Sequence, residues 1–358
     1  MKVFLLISII ALFTLLHSCS SEDTEFDTAV LQDKSASIQL KQRIHLQETE
    51  GNYIGRLYSA RVIRDAIYIA DPVMGNVKVY GRDGEYRFSI GKKGEGPGEF
   101  IAPRGGITKI GDTLIVKDDE LRRINFFSLG GEYYYSISLP SNIYYAGRGV
   151  IASYNDTILL PITEARHVLK WEKSNIIATI DTKGNVLKTF GKHPPEYSVY
   201  QMYDGIVSFD INRDGVIFQI SRNSPIIQAY SVDGEKLYSF GVLGNYYKQV
   251  NFDSPQMEPV ETILARARMK SLSINIFWLP CGHVVYVYEN LNEEGQLARD
   301  PLLYDQYLMV YTDRGEYIPS EIKLPGNLIT VDEDGLLYIE KENRPGERII
   351  EVYELMIV

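Results

Sequence analysis

Val77-Lys78-Val79-Tyr80-Gly81-Arg82-Asp83-Gly84-Glu85 is the stretch that decides the fold, because its pattern returns four more times along the chain. The later copies centre on Gly131, Gly184, Gly234 and Gly315, with turns reading Gly-Gly-Glu, Lys-Gly-Asn, Asp-Gly-Glu and Arg-Gly-Glu. Seven positions before each glycine stands an aliphatic residue (Val77, Ile124, Ile177, Ile227, Leu308), and four before it stands Tyr80, Phe127, Ile180, Tyr230 or Tyr311. An apolar run entering a Gly turn of this kind is a β-hairpin signal.

A second unit alternates with the first. Six short β-branched or aromatic runs begin at Ala66, Thr113, Thr157, Val216, Val284 and Leu336. Each follows a tight turn and a further apolar segment, around Val62, Ile107, Ile151, Val207, Ile274 and Ile329. These are strands a and b; the Gly-centred hairpins are strands c and d. Six four-stranded antiparallel units at this spacing predict an all-β chain, a six-bladed β-propeller over residues 37–358. The last unit supplies strand c at Arg348–Leu355 and then ends, so the alternating segment Ser37–Gln47 is expected to add its outer strand, closing the ring and covering an edge. An outer-membrane barrel is the competing all-β reading, but the runs are shorter than the ten or so lipid-facing residues such strands require.

Composition agrees. The chain of 358 residues has 26 Tyr, 13 Phe, 29 Gly and 15 Pro, which favours strands and turns. Its 37 basic against 47 acidic residues give a net charge of −10, which argues against a general nucleic-acid binder. Two cysteines, one of them assigned below to the membrane, leave no disulfide framework.

Residues 1–18 read as a secretory signal: Lys2 precedes an apolar run from Val3 to Leu16, too short to span a bilayer. The ending Leu16-His17-Ser18-Cys19 resembles a lipobox, making Cys19 the expected lipidation site. Ser20-Ser21-Glu22-Asp23 is similar to the acidic signal that sends lipoproteins of Bacteroidetes to the cell surface, and residues 19–36 are expected to form a flexible tether. The expected location is the outer membrane, facing outward, with the domain held by lipid rather than by a membrane-binding surface.

Ile90-Gly91-Lys-Lys-Gly94-Glu-Gly96-Pro97-Gly98-Glu99-Phe100, continuing to Pro103-Arg-Gly-Gly-Ile107, resembles the inter-blade signature of NHL and TolB-like propellers. Together with the lipobox, the chain is similar to the six-bladed propeller lipoproteins of Bacteroidetes. That resemblance implies the fold far more than an activity.

In a blade, the a–b and c–d turns share one face and the b–c and d–a loops the other. The a–b and c–d turns are short, whereas the insertions (91–103, 162–172, 191–203, 241–271, 289–305, 341–347) all fall on the second, loop face. Such loops on a rigid scaffold suit binding, and they are rich in Tyr, a stiff amphipathic contact residue. Candidate ligand contacts are Arg104, Tyr144, Tyr145, Arg148, Tyr197, Tyr203, Tyr246 and Tyr247, with Arg104, Tyr145, Arg148 and Tyr203 nearest the channel mouth. Residues 258–271 carry an i, i+3, i+4, i+7 apolar pattern and predict a short helical insertion.

No Gly-x-Ser-x-Gly, His-Glu-x-x-His, P-loop or Cys-x-x-Cys occurs. The Gly-rich segment 91–98 is read as a flexible d–a connection, and Asp210–Gly215, half of an EF-hand loop, as turn chemistry. His45, His167, His193 and His283 fall in places from which three cannot readily meet, and Cys281 is expected to be a small buried residue. The leading expectation is a non-catalytic, monomeric surface propeller that needs no cofactor and binds a peptide, protein or glycan, with no nucleic-acid partner. The alternative is a calcium-dependent hydrolase or lyase of the lactonase kind with Ca2+ in the channel.

Overall fold

The computed structural model describes residues 28–104, 106–140, 143–145 (backbone), 150–164, 173–194, 207–249, 270–291, 304–341 and 347–358. The signal, Cys19 and most of the helix anticipated at 258–271 lie outside these residues.

Six antiparallel sheets form the body. Blade I contains β2 (Ser59–Ile63), β3 (Ala66–Asp71), β4 (Asn76–Gly81) and β5 (Tyr86–Ile90). Blade II contains β6 (Ile107–Ile110), β7 (Thr113–Asp118), β8 (Arg123–Ser128) and β9 (Tyr133–Ser138). In blade III the inner position is shared by β10 (Ile143–Tyr145) and β11 (Ala152–Tyr154), both paired with β12 (Thr157–Glu164), followed by β13 (Ile177–Ile180) and β14 (Val186–Phe190). Blade IV runs through β15 (Val207–Ile211), β16 (Val216–Ser221), β17 (Ile227–Ser231) and β18 (Lys236–Phe240). Blade V runs through β19 (Leu272–Leu279), β20 (His283–Leu291), β21 (Tyr304–Thr312) and β22 (Tyr317–Lys323). Blade VI has β23 (Asn327–Val331), β24 (Leu337–Glu340) and β25 (Arg348–Ile357), completed by the N-terminal β1 (Ala36–Leu46). The inner strands touch in the order β2, β6, β11, β15, β19, β23 and back to β2, a closed six-bladed ring.

The middle strands are mostly apolar on both sides, without alternation, because each blade is covered on both faces. Ile67 and Ile69 of β3 enter the core shared with blade VI, while Tyr68 and Ala70, pointing the other way, enter the core shared with blade II. Six such cores result, one per pair of neighbouring blades. Outer strands face solvent on one side, so Leu187 of β14 and Leu237 of β18 are exposed.

The repeated c–d glycine has a physical cause. Gly234 sits at φ 77°, a backbone region that disfavours side chains, and a Cβ there would lie 2.6 Å from the Phe190 ring, at the end of the preceding blade's outer strand. Gly315 repeats this at φ 91° against Phe240, 2.8 Å away. Each turn therefore seats its blade on the one before.

Ring closure follows the expected scheme: β1 pairs antiparallel with β25 from Ala36↔Ile357 to Leu46↔Arg348, with a register shift between Leu40 and Gln42. Arg43 reinforces the ladder with an ion pair to Glu351 at 2.8 Å. Part of the expected flexible tether is instead bound to the body. Leu31 N–H donates to Tyr317 O (2.9 Å), Tyr317 N–H donates to Ala29 O (2.7 Å), and Thr28 Oγ1 lies 3.1 Å from both Gly241 N and Gly241 O. The unpaired edge of β22 supplies the donors and acceptors that a polar composition alone does not reveal.

The Gly-rich connection 91–98 is likewise not slack. Phe100 is fully buried beside Phe127, Phe100 N–H donates to Lys92 O, and the Arg123 guanidinium donates to the carbonyls of Glu95, Gly96 and Glu99. Its glycines serve a tightly folded loop between blades I and II rather than mobility.

Two outcomes test this account. Gly234→Val is expected to cost about 3 kcal/mol from backbone strain and overpacking, read as a lower urea midpoint with unchanged slope. Deleting residues 28–46 is expected to expose the β25 edge and give aggregates by size-exclusion chromatography, whereas a chain starting at residue 28 stays monodisperse.

Candidate functional site

The central channel opens on the loop face into a cavity of about 280 Å³. Its lining comes from the first residues of inner strands (Ser59 of β2, Ile107 of β6, Asn327 of β23) and the ends of second strands (Glu289 of β20, Glu340 of β24). Polar groups dominate the mouth: Arg56, Arg61, Asn275, Gln306, Asn327 and Thr330. Gln306 Oε1 accepts from Leu328 N–H at 2.9 Å, which orients its NH2 group. The two acids have partners of their own. Glu289 lies 3.9 Å from Arg222, and Glu340 is bonded to Arg348, which also approaches Glu48 at 3.8 Å. Burial pushes the Glu340 carboxyl up and Arg348 opposes it.

Arg61 on β2 acts electrostatically on Asp210 of β15, the inner strand opposite in the ring. The Asp210 carboxylate accepts the N–H groups of Trp278 and Ile211, both at 2.9 Å. Burial raises its pKa and Arg61 holds it down. Asp210 was legible in sequence only as part of a turn, and the turn itself is made by Asn212, whose Oδ1 accepts from Asp214 and Val216 N–H.

Buried aspartates position the mouth. Asp71, the last residue of β3, is fully buried and accepts from Gly55 N–H (2.6 Å), Arg56 N–H (3.1 Å), Val73 N–H (3.0 Å) and Met74 N–H (3.1 Å). Asp118, the last residue of β7, accepts from Ile101 N–H (2.7 Å), Ala102 N–H and Leu121 N–H (3.0 Å). Each carboxylate fixes the segment entering its blade's inner strand. The signal was present as an Asp closing two successive b runs, Ala66-Ile-Tyr-Ile-Ala-Asp71 and Thr113-Leu-Ile-Val-Lys-Asp118.

The candidate contacts separate. Arg104 is exposed on the rim, 3.4 Å from Glu120, and lines an adjoining hollow of about 180 Å³ with Arg56, Tyr58, Pro72 and Val73. Tyr144 and Tyr145 lie on β10 opposite Thr163 and Ile162. Arg148, Tyr197 and Tyr203 lie outside the described residues. Tyr247, half-buried, meets Tyr288 edge-on at 5.2 Å and packs against the core between blades IV and V. Tyr246 is 57% exposed and stacks on Tyr307, which stacks on Tyr288. Glu321 holds that loop by accepting from Asn245 and Tyr246 N–H. Sequence reasoning missed Arg56, Tyr58 and Arg61.

His45 lies on the outer strand of blade VI, His193 between blades III and IV, and His283 in blade V; His167 is outside the described residues. Among the described residues no three His, Cys, Asp or Glu side chains form a group suited to a metal ion. Cys281 is exposed in its turn rather than buried, 3.2 Å from His283 Nδ1, because the a–b turn ends beyond the core.

His193 is buried, its Nδ1 3.1 Å from Ser221 Oγ, and desolvation lowers its pKa to about 4. The unfolded chain takes up this proton near the ordinary His value and the folded chain only near 4, so stability is constant above that window and falls as pH drops through it. The loss is about 3 kcal/mol at the lower end. Urea titrations between pH 7 and 4 are expected to show a shallower acid loss in His193→Gln than in the parent.

Residues 24–199 match the family DUF5128, described as a 6-bladed beta-propeller. No curated protein matches the chain in sequence. Among solved structures, a DUF4221 member from Bacteroides vulgatus superposes with a TM-score of 0.65 at 12% identity, over 90% of this chain and 99% of that one. A protein from Bacteroides fragilis described as exported gives 0.58 at 11% identity, over 90% and 95%. At these identities the likeness is one of fold. The chain is a six-bladed β-propeller, similar over residues 24–199 to the DUF5128 family and with structural neighbours from Bacteroides.

Proposed function

We propose that the protein is a non-catalytic binding propeller, lipidated at Cys19 and displayed on the outer membrane, which takes a peptide, protein or glycan ligand at the channel mouth on its loop face. The observation that carries this reading is the open polar cavity of about 280 Å³ whose rim is held by fully buried Asp71 and Asp118. Concave sites with a few fixed polar groups are where propellers and other rigid scaffolds take ligands. The exposed Tyr246 adds a contact surface farther out on the same face. The Lys2-to-Cys19 segment, with its lipobox-like ending, supports the anchor.

Glycan and peptide arrays probed with the full-length protein in detergent are expected to return ligands that Asn327→Trp, which fills the mouth, loses by about tenfold or more without a change in melting temperature. Ligands retained by that variant would move the site elsewhere. Cys19→Ala is expected to abolish incorporation of labelled palmitate in cells, and surface proteolysis of intact cells is expected to remove the protein.

A further inference from the structure

Three arginines stand at or below the mouth. Arg56 and Arg104 occupy equivalent positions in adjacent blades, each three residues ahead of its inner strand. Each is presented on a segment pinned by a fully buried aspartate, Asp71 or Asp118. Arg56 lies over the Tyr58 ring, 5.5 Å from its centroid, and both side chains line the main cavity and the adjoining hollow. Arg61 lines the main cavity below them.

The nearby acids have partners of their own, and Asp71 and Asp118 are turned to backbone N–H groups. Glu289 and Glu340 are engaged by Arg222 and Arg348. Glu120, 3.4 Å from Arg104, forms a half-exposed pair of the weak kind. Asp210, across the ring, offsets part of the Arg61 charge. Arg56 thus presents an exposed guanidinium without an acid partner among the described residues at one end of the channel.

Resting on the binding reading above, we infer that Arg56 and Arg104, with Arg61 beneath them, receive the carboxylates of an acidic sugar chain. Guanidinium forks match carboxylate geometry and retain their charge at any physiological pH. The Asn327 carboxamide, the Asn275 carboxamide oxygen and the oriented NH2 of Gln306 line the same cavity, offering the donors and acceptors that vicinal sugar hydroxyls require. An acidic peptide would use the arginines and leave these groups to its backbone alone, so a polyuronate is the better match.

The test is calorimetric titration of the full-length protein in detergent with tetragalacturonate, neutral β-1,4-galactotetraose and tetraglutamate, at low and high salt. Tetragalacturonate is expected to bind, to weaken with salt, and to lose about tenfold or more in affinity in Arg56→Gln and in Arg104→Gln. Both arginines are exposed, and unchanged melting temperatures in the variants would exclude misfolding as the cause. Equal binding of the neutral tetrasaccharide, abolished by Asn327→Trp, would overturn the acidic-sugar assignment and leave the mouth as the site. Arginine-dependent binding of tetraglutamate with no response to tetragalacturonate would likewise overturn it in favour of peptide. Tetragalacturonate binding that survives Asn327→Trp would overturn the mouth as the site.

Discussion

Everything in this molecule depends on the pairing of its two ends. β1 lies along β25 over ten paired positions and converts a row of six stacked sheets into a ring. Without it, β25 would present a long open edge and the Ile44 and Leu46 side chains would leave the core between blades VI and I. The segment before β1 extends the closure, since residues 28–31 dock on Gly241 and the edge of β22 before the chain crosses to blade VI. One strap therefore engages the outer parts of three consecutive blades.

Within the closed ring the geometry is set by repetition. Each blade buries both faces, so its middle strands are mostly apolar on both sides, and each c–d glycine allows its turn to rest on the outer strand before it. The Phe190 and Phe240 rings stand where those turns arrive, which is why strands ending in a large apolar residue recur with the glycine pattern. Rigidity at the rim then passes to the mouth through Asp71 and Asp118, whose carboxylates satisfy backbone donors that would otherwise be orphaned beside the channel.

The fold was legible because its determinants are local and periodic. Gly84 to Gly315, the apolar runs from Ala66 to Leu336 and the spare strand at the N-terminus are all features of short windows. The site was legible only in part. Arg104 could be placed near the rim from its position ahead of an inner strand, but Tyr247, counted with it, packs against a core. A surface loop rich in Tyr does not declare which ring turns inward, since that depends on the Tyr288 and Tyr307 rings contributed by another blade. The glycines of 91–98 suggested slack for the same reason: the Arg123 side chain that gathers the loop carbonyls of Glu95, Gly96 and Glu99 comes from β8.

The sequence by itself determined the number of blades, their strand order, the closing strand and the face on which the long loops gather, because hydrophobic period, turn residues and strand parity act over a few residues at a time. Only the tertiary structure decided which charges meet. Arg61 and Asp210 come from opposite blades, and Arg56 and Arg104 from adjacent ones, while Asn275 and Gln306 arrive from blade V and Asn327 from blade VI. No local pattern brings such groups together, because their proximity is a property of closure, and closure joins residues at the two ends of the chain.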